Sequence, residues 1–234
     1  MQNPWQRLPF RPPFVLAEDH ERISKFNESA KVQVQHKVQL EILPEPFLGR
    51  PKAPVVLLNL NPGYNAVTNP VQHAKAMFAR RSRENLLHTE VDYPFYLIDP
   101  GIRDRTAWWD RKLRRLLEDE RLENSADSRR KVVANCVLCV EYFPYHSKKF
   151  KHRKLRVGSQ DYSFWLVREA IRGEAVILLM RGKKLWCSEI PALQSYSRLY
   201  VSKSVQNPAI SPANFPEGYS IAVEAIRRKC RQYG

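Results

Sequence analysis

Long apolar runs are missing from this 234-residue chain: no stretch approaches the roughly 20 residues that cross a bilayer. An apolar leader core is missing as well, since the first residues read MQNPWQRLPFRPPF. An intracellular, cytoplasmic protein with no membrane partner is therefore expected. Cysteine is scarce: four thiols in a chain of this length do not make a disulfide scaffold. Cys136 and Cys139 have the C-x-x-C spacing of metal and redox sites, but VVANCVLCV reads as a strand. An odd spacing on a strand sends the two thiols to opposite faces, and no second pair lies nearby to complete a zinc site. Core thiols are expected, with no metal and no other cofactor. Internal repeats and low-complexity tracts are absent. The acidic residues are scattered, which disfavours a nuclease that gathers carboxylates around metal ions.

What is abundant is positive charge. Lys and Arg number 39 against 24 acidic residues, a net +15, in a chain whose 43% apolar and 11% aromatic content argues for a folded globule. The basic residues cluster in Arg80-Arg81-Ser82-Arg83, Arg111-Lys112-Leu113-Arg114-Arg115, Lys148 to Arg156 and Arg227-Arg228-Lys229. Such density favours a polyanion, through neutralised phosphates and released counterions, over a merely solvated basic surface. DNA is the expected partner, single- or double-stranded, bound by a monomer that associates with the nucleoid through it.

Short apolar runs alternate with helical patterns along the chain. Residues 17 to 40 are polar and helix-compatible, and EILPEPFLGRPKAP, with four prolines, reads as an extended connector. Strands are expected at VVLLNL (55–60), Lys131 to Val140, Ala175 to Met180 and Ser197 to Val201. Helices are expected within Val71 to Leu87, and over Trp108 to Leu122, Ser163 to Ile171 and Pro216 to Arg231. Continuous apolar strands separated by helices predict an α/β fold: a three-layer α/β/α sandwich around a four-stranded, mainly parallel sheet. Residues 1–50 form an N-terminal extension packed on the core, and 51–234 the α/β domain. Ligands of such sheets bind at the carboxyl ends of the strands. That directs attention to Asn61, Glu141 to His146, Arg181 and Ser204 to Ser211.

Three of these strand ends carry motif-like sequences. LNLNPG resembles the first motif of the uracil-DNA glycosylase superfamily, written G-M-N-P-G in its single-strand-selective branch and G-I-N-P-G in its mismatch-specific branch. VQNPAIS is similar to the second motif, H-P-S-P-L-S or N-P-S-G-L-S, and EYFPYHS to the middle strand end, N-x-C-P-L. The matching segments run in family order from about Val55 to Phe215. The resemblance implies a four-stranded parallel sheet between helical layers and a monofunctional glycosylase that extrudes a base and hydrolyses its N-glycosidic bond. Asn61 would orient the attacking water, and Asn207 would donate to the base oxygen as negative charge develops. For both, the competing account is turn chemistry, because each precedes a proline.

Departures from the uracil pattern are as informative. Gly63 stands where the uracil-specific enzymes place a Tyr that blocks the C5 side of the base, with Tyr64 able to refill part of the space. Glu141 stands where an Asn reads uracil. An ionised carboxylate only accepts hydrogen bonds, which favours the amino group of cytosine. A C5-modified cytosine is the preferred substrate expectation, in defence against phage with hypermodified DNA, with uracil or mismatch repair as the alternative. Glu141 could instead activate water or pair with an Arg of the basic loop, and a slipped register would make Asn135 the reader. His146 is a contact to phosphate or base, or a capping residue. Tyr96 and Phe95 are stacking faces for the flipped base, or core, and Asp99 is a carboxylate near the sugar, or a turn residue. Lys148, Lys149, Lys151, Arg153, Lys154 and Arg156 form the strand clamp, with Phe150 and Leu155 filling a groove, and Ser204 lies on the second-motif loop. Ser211 replaces the family's wedge Leu, for which Ile210 and Phe215 are substitutes. A nucleic-acid-binding protein without chemistry on this scaffold is the rival reading.

Overall fold

The computed structural model describes residues 1–102 and 107–230. Five strands form one sheet: β1 (Phe47–Leu48), β2 (Val55–Asn59), β3 (Val137–Glu141), β4 (Val176–Leu179) and β5 (Leu199–Val201), in the order β1-β3-β2-β4-β5. Pairing is parallel throughout except for β1, which runs antiparallel to β3 at the edge. The sheet is thus five-stranded, not four-stranded. The additional strand lies in the proline-rich segment expected to be a plain connector, because Phe47 and Leu48 find a free edge to pair with.

Eight helices cover the sheet among the described residues: α1 (Ala17–Glu28), α2 (Thr68–His73), α3 (Ala76–Leu86), α4 (Trp108–Leu117), α5 (Ala126–Cys136), α6 (Gln160–Arg172), α7 (Lys183–Glu189) and α8 (Pro216–Cys230). Alternating strand residues feed two cores. Val56, Leu58, Leu138, Val140, Ile177 and Leu179 meet side chains of α1, α6 and α7. Val55, Leu57, Val137, Cys139, Val176 and Leu178 meet side chains of α4, α5 and α8.

The segment Lys131 to Cys136, expected as strand, is the end of α5, with the strand beginning at Val137. The apolar run does not distinguish a helix end from a strand start. Cys136 and Cys139 consequently do not face apart across a strand; both lie in the second core, as free thiols. Asn135 sits on α5, at the amino end of the sheet, with its amide on the Asp92 and Lys131 carbonyls. That position removes it as a base reader.

Residues 1–50 share the first core. Trp5 is buried, with its ring edge-on to Tyr145 at 5.8 Å, and Leu8, Leu16, Ile23 and Phe47 join the same cluster. The buried Asp19 carboxylate accepts from the Tyr145 hydroxyl at 2.7 Å and from Ser159 N at 3.1 Å. These contacts tie α1 to the loops that follow β3. Replacing Trp5 by Ala should cost about 3–5 kcal/mol and lower the thermal midpoint by roughly 10 °C in calorimetry. An unchanged midpoint would show that the N-terminal segment is dispensable to the core.

Candidate active site at the carboxyl ends of the sheet

Strand β2 is flanked by β3 and β4, so the chain order reverses between β2 and β4, and the crevice beyond their carboxyl ends is the binding position favoured in open α/β sheets. The loops from the strand ends are joined there. Phe143 N donates to Leu60 O at 2.8 Å, and Ser147 N to Pro62 O at 3.3 Å. Gly182 has φ +77°, and a Cβ on it would lie 2.5 Å from Leu60 Cδ2, so only glycine lets the loops after β2 and β4 approach this closely. Arg181 then reaches across, its Nε on Val205 O at 3.0 Å and its Nη2 on Gln206 O at 3.1 Å. Arg181 thus fixes the loop bearing Asn207 to the turn after β4, whose Gly182 packs on Leu60.

The two amides are oriented oppositely. Ser147 Oγ donates to the Lys149 carbonyl and accepts from Asn61 Nδ2 at 2.9 Å, and the same nitrogen also donates to Pro62 O. Asn61 Oδ1, with no protein donor among the described residues, remains an acceptor. At Asn207 the polarity is reversed: Lys112 Nζ donates to Oδ1 at 2.5 Å, leaving Nδ2 as a donor. The backbone of Asn207 is fixed by Ser204 Oγ, which accepts from its N–H, and by Asn214, which donates to its carbonyl. Ser204 thus shapes the second-motif loop.

Beneath the Asn-Pro-Gly turn lies a buried polar network. The parallel register sets Asn59 opposite Glu141, and Asn59 Nδ2 donates to Glu141 Oε1 at 3.2 Å. Asn59 Oδ1 and Glu141 Oε2 are both buried without a partner. Burial, reinforced by the nearby Glu45, pushes the Glu141 carboxyl well above its usual range. Glu45 is itself pushed up to about 8 by burial, against an opposing hydrogen bond from the Tyr96 hydroxyl at 3.2 Å. Glu45 is therefore mostly neutral near pH 7. His146 donates from Nδ1 to Gly63 O at 2.8 Å, and burial lowers its pKa to about 4. His73 packs edge-on to it at 5.5 Å and continues through Phe78 to Tyr96.

Several sequence expectations are corrected by this geometry. Glu141 is only 3% exposed, and its partners are the Asn59 amide and the Cys139 thiol, both donating to Oε1, rather than an Arg of the basic loop. His146 is a buried neutral imidazole and no phosphate cation. Phe95 and Tyr96 are core side chains, Phe95 edge-on to Trp109 at 4.9 Å, and present no free face to a base. Ile210 and Phe215 are likewise wholly buried and cannot act as wedges. Ser211 caps the following turn, its Oγ accepting from Asn214 N. Asp99 is held by Arg81 and by the Gly101 N–H, in a turn.

Gly63 is exposed with open space where a Cβ would be, and Tyr64 lies half-buried beside it. In the basic loop Lys148, Lys149, Lys151, Arg153 and Lys154 point outward. Arg156 does not join them: it pairs with Asp161 at 2.5 Å and covers the Phe164 ring. Phe150 and Leu155 pack on the core instead of filling a groove, and buried His152 stacks on Phe143 at 4.6 Å. These three side chains are what hold the cations outward.

Sequence reasoning missed Asn59, Glu45, His73 and Lys112. Asn59 was visible as the polar break in an apolar strand. Lys112 was visible as a cation on the apolar stripe Trp109, Leu113, Leu116. Nothing in the local sequence marks Glu45 or His73.

A hollow of about 810 Å³ lies at the opposite, amino end of the sheet, where Arg50, Lys131, Asn135, Cys136, Lys229 and Cys230 are among its lining residues. Two of its cations are paired, Arg50 with Glu90 at 4.0 Å and Lys131 with Asp92 at 2.8 Å. At the strand ends Glu141 is buried, and neither Asn61, Glu141 nor Asn207 lines this hollow. Among the described residues no group of three His, Cys, Asp or Glu side chains forms a metal cluster, and no helix is long and apolar enough to cross a membrane. No family model, curated protein or solved structure matches this chain.

Glu45 provides a test of the buried network. A carboxyl whose folded pKa is raised stabilises the fold fully below the unfolded value of 4.5, and that contribution is lost as pH rises through about 8. Glu45→Gln should therefore flatten the fall in thermal midpoint between about pH 4.5 and 8, by several degrees relative to the native chain. Parallel melting curves for the two proteins would refute the burial of an ionisable Glu45.

Proposed function

We propose that this protein is a monofunctional DNA glycosylase. It extrudes a base, hydrolyses the N-glycosidic bond with a bound water, and leaves an abasic site. The single observation that carries this reading is the opposed polarity of the two strand-end amides: Asn61 offers an acceptor and Asn207 a donor. Water hydrogen-bonded to Asn61 Oδ1 is oriented with its oxygen lone pair toward the sugar carbon. An amide is no base, but the departing nucleobase leaves an oxocarbenium-like sugar that needs only a positioned nucleophile. Asn207 Nδ2 stabilises the negative charge that grows on the base oxygen.

The substrate reading depends on the protonation of Glu141, whose pKa is raised by burial. A neutral acid donates as well as accepts, so it does not of itself reject the uracil carbonyl. The proposal of a C5-modified cytosine, and with it a role against hypermodified phage DNA, now rests mainly on the open space at Gly63. Uracil or mismatch excision is the alternative substrate class. A binder without chemistry is favoured by the burial of Glu141, and the same assay separates it from an enzyme.

DNAs containing uracil, cytosine, 5-hydroxymethylcytosine and its glucosylated form are incubated with the protein, and freed bases are identified by mass spectrometry. An enzyme releases at least one of them, and Asn61→Ala lowers that rate about 100-fold at unchanged DNA affinity. No release from any of these DNAs would leave only the binder. Separately, changing Lys148, Lys149, Lys151, Arg153 and Lys154 to Gln should weaken duplex binding for all sequences alike. The logarithmic salt slope should become shallower by about 0.9 for each phosphate that is no longer neutralised; an unaltered slope would place the DNA elsewhere.

A further inference from the structure

We propose that Lys112 is a positioning residue for base excision, holding and polarising the Asn207 amide so that its Nδ2–H faces the leaving base. The inference rests on the glycosylase reading and adds a residue to it. Lysine is a donor only, so the amide atom it touches must be the oxygen. An amide flipped by half a turn would set its own N–H donors against the ammonium. Asn207 is exposed and would flip freely without this partner, and half of its orientations would offer the departing base an acceptor.

The placement of Lys112 is tied to the loop it serves. Its carbonyl accepts from Ile210 N at 2.8 Å, linking α4 to the segment that carries Asn207. Its stem is buried in the apolar stripe of α4, and Nζ lies 5.2 Å from the centre of the Trp108 ring. The charged groups facing Nζ among the described residues are Arg111 on the same helix and Arg181 from the loop after β4. Burial first, then these two cations, lower the Lys112 pKa. A cation set in apolar surroundings against two like charges disfavours the fold, whereas methionine would fill the stripe without repulsion. The same field is favourable to an anion forming beside it.

In the step itself the C1′–N bond breaks and its electron pair leaves with the base. The resulting charge is spread to the exocyclic carbonyl oxygen of the base, which accepts from Asn207 Nδ2. The water oxygen then bonds C1′, and its proton passes to the base anion. Lys112 touches none of these atoms and acts through Asn207.

The test is single-turnover excision by the native protein, Lys112→Met, Lys112→Gln, Lys112→Arg, Asn207→Ala and the Lys112→Met/Asn207→Ala double variant, with melting curves for each. Lys112→Met and Lys112→Gln should lose at least about tenfold in rate at unchanged DNA affinity, with Lys112→Arg recovering most of it. The double variant should be no slower than Asn207→Ala alone, since both remove one interaction. The native rate should fall on the alkaline side as Lys112 deprotonates, a limb that Lys112→Arg shifts upward. Folded Met and Gln variants at the native rate, or losses that multiply in the double variant, would overturn the inference while leaving the glycosylase reading intact. A native protein that frees no base would remove both together.

Discussion

Strand β2 is hydrogen-bonded along both edges and buried on both faces, and every group of the candidate site takes its position from that constraint. Because β3 and β4 pair with it in parallel and in register, three chain segments leave the sheet at the same level. Asn59 ends up opposite Glu141, Leu60 beneath Gly182, and the Asn-Pro-Gly turn against residues 143 to 147. A one-residue slip in either pairing would invert the side chains of a whole strand and drive apolar residues out of both cores. The strand ends are therefore held as firmly as the cores themselves, which suits a site whose two amides work by position.

Charge is divided sharply around this frame. Outside, five cations of the basic loop stand clear of the surface because Phe150, His152 and Leu155 anchor the loop beneath them. Inside, burial raises the pKa of Glu45 and Glu141 and lowers those of His73 and His146, in each case toward the neutral form. The proposed reacting amides lie between these regions. Lys112 and Arg181 bring positive charge to the Asn207 side, and Arg181 acts on Glu141 as well. An electrically neutral floor beneath a cationic rim is compatible with drawing in a polyanion while leaving one uncharged base to be read by hydrogen bonds.

The two Asn-Pro motifs were legible because in each an amide directly precedes a proline within one contiguous stretch. The parallel sheet was legible for the same reason, as were Gly63 and the outward lysines. The segment 131 to 136 was not, because a buried helix end and a buried strand start have the same composition. Phe95, Tyr96, Ile210 and Phe215 were read as possible contacts to DNA. Aromatic and aliphatic side chains carry no local mark that says whether they face a ligand or a core. Glu45 was invisible, since its partner Tyr96 lies 51 residues away.

By itself, then, the sequence determined the sheet's main strands, the amides at their ends and the excess of positive charge, all properties of neighbouring residues. Only the tertiary structure decided which way those amides turn, which carboxyls are neutral and which aromatics are sealed in the core. Those properties depend on donors, acceptors and low-dielectric surroundings supplied by segments distant in the chain, such as Ser147 for Asn61 and Lys112 for Asn207.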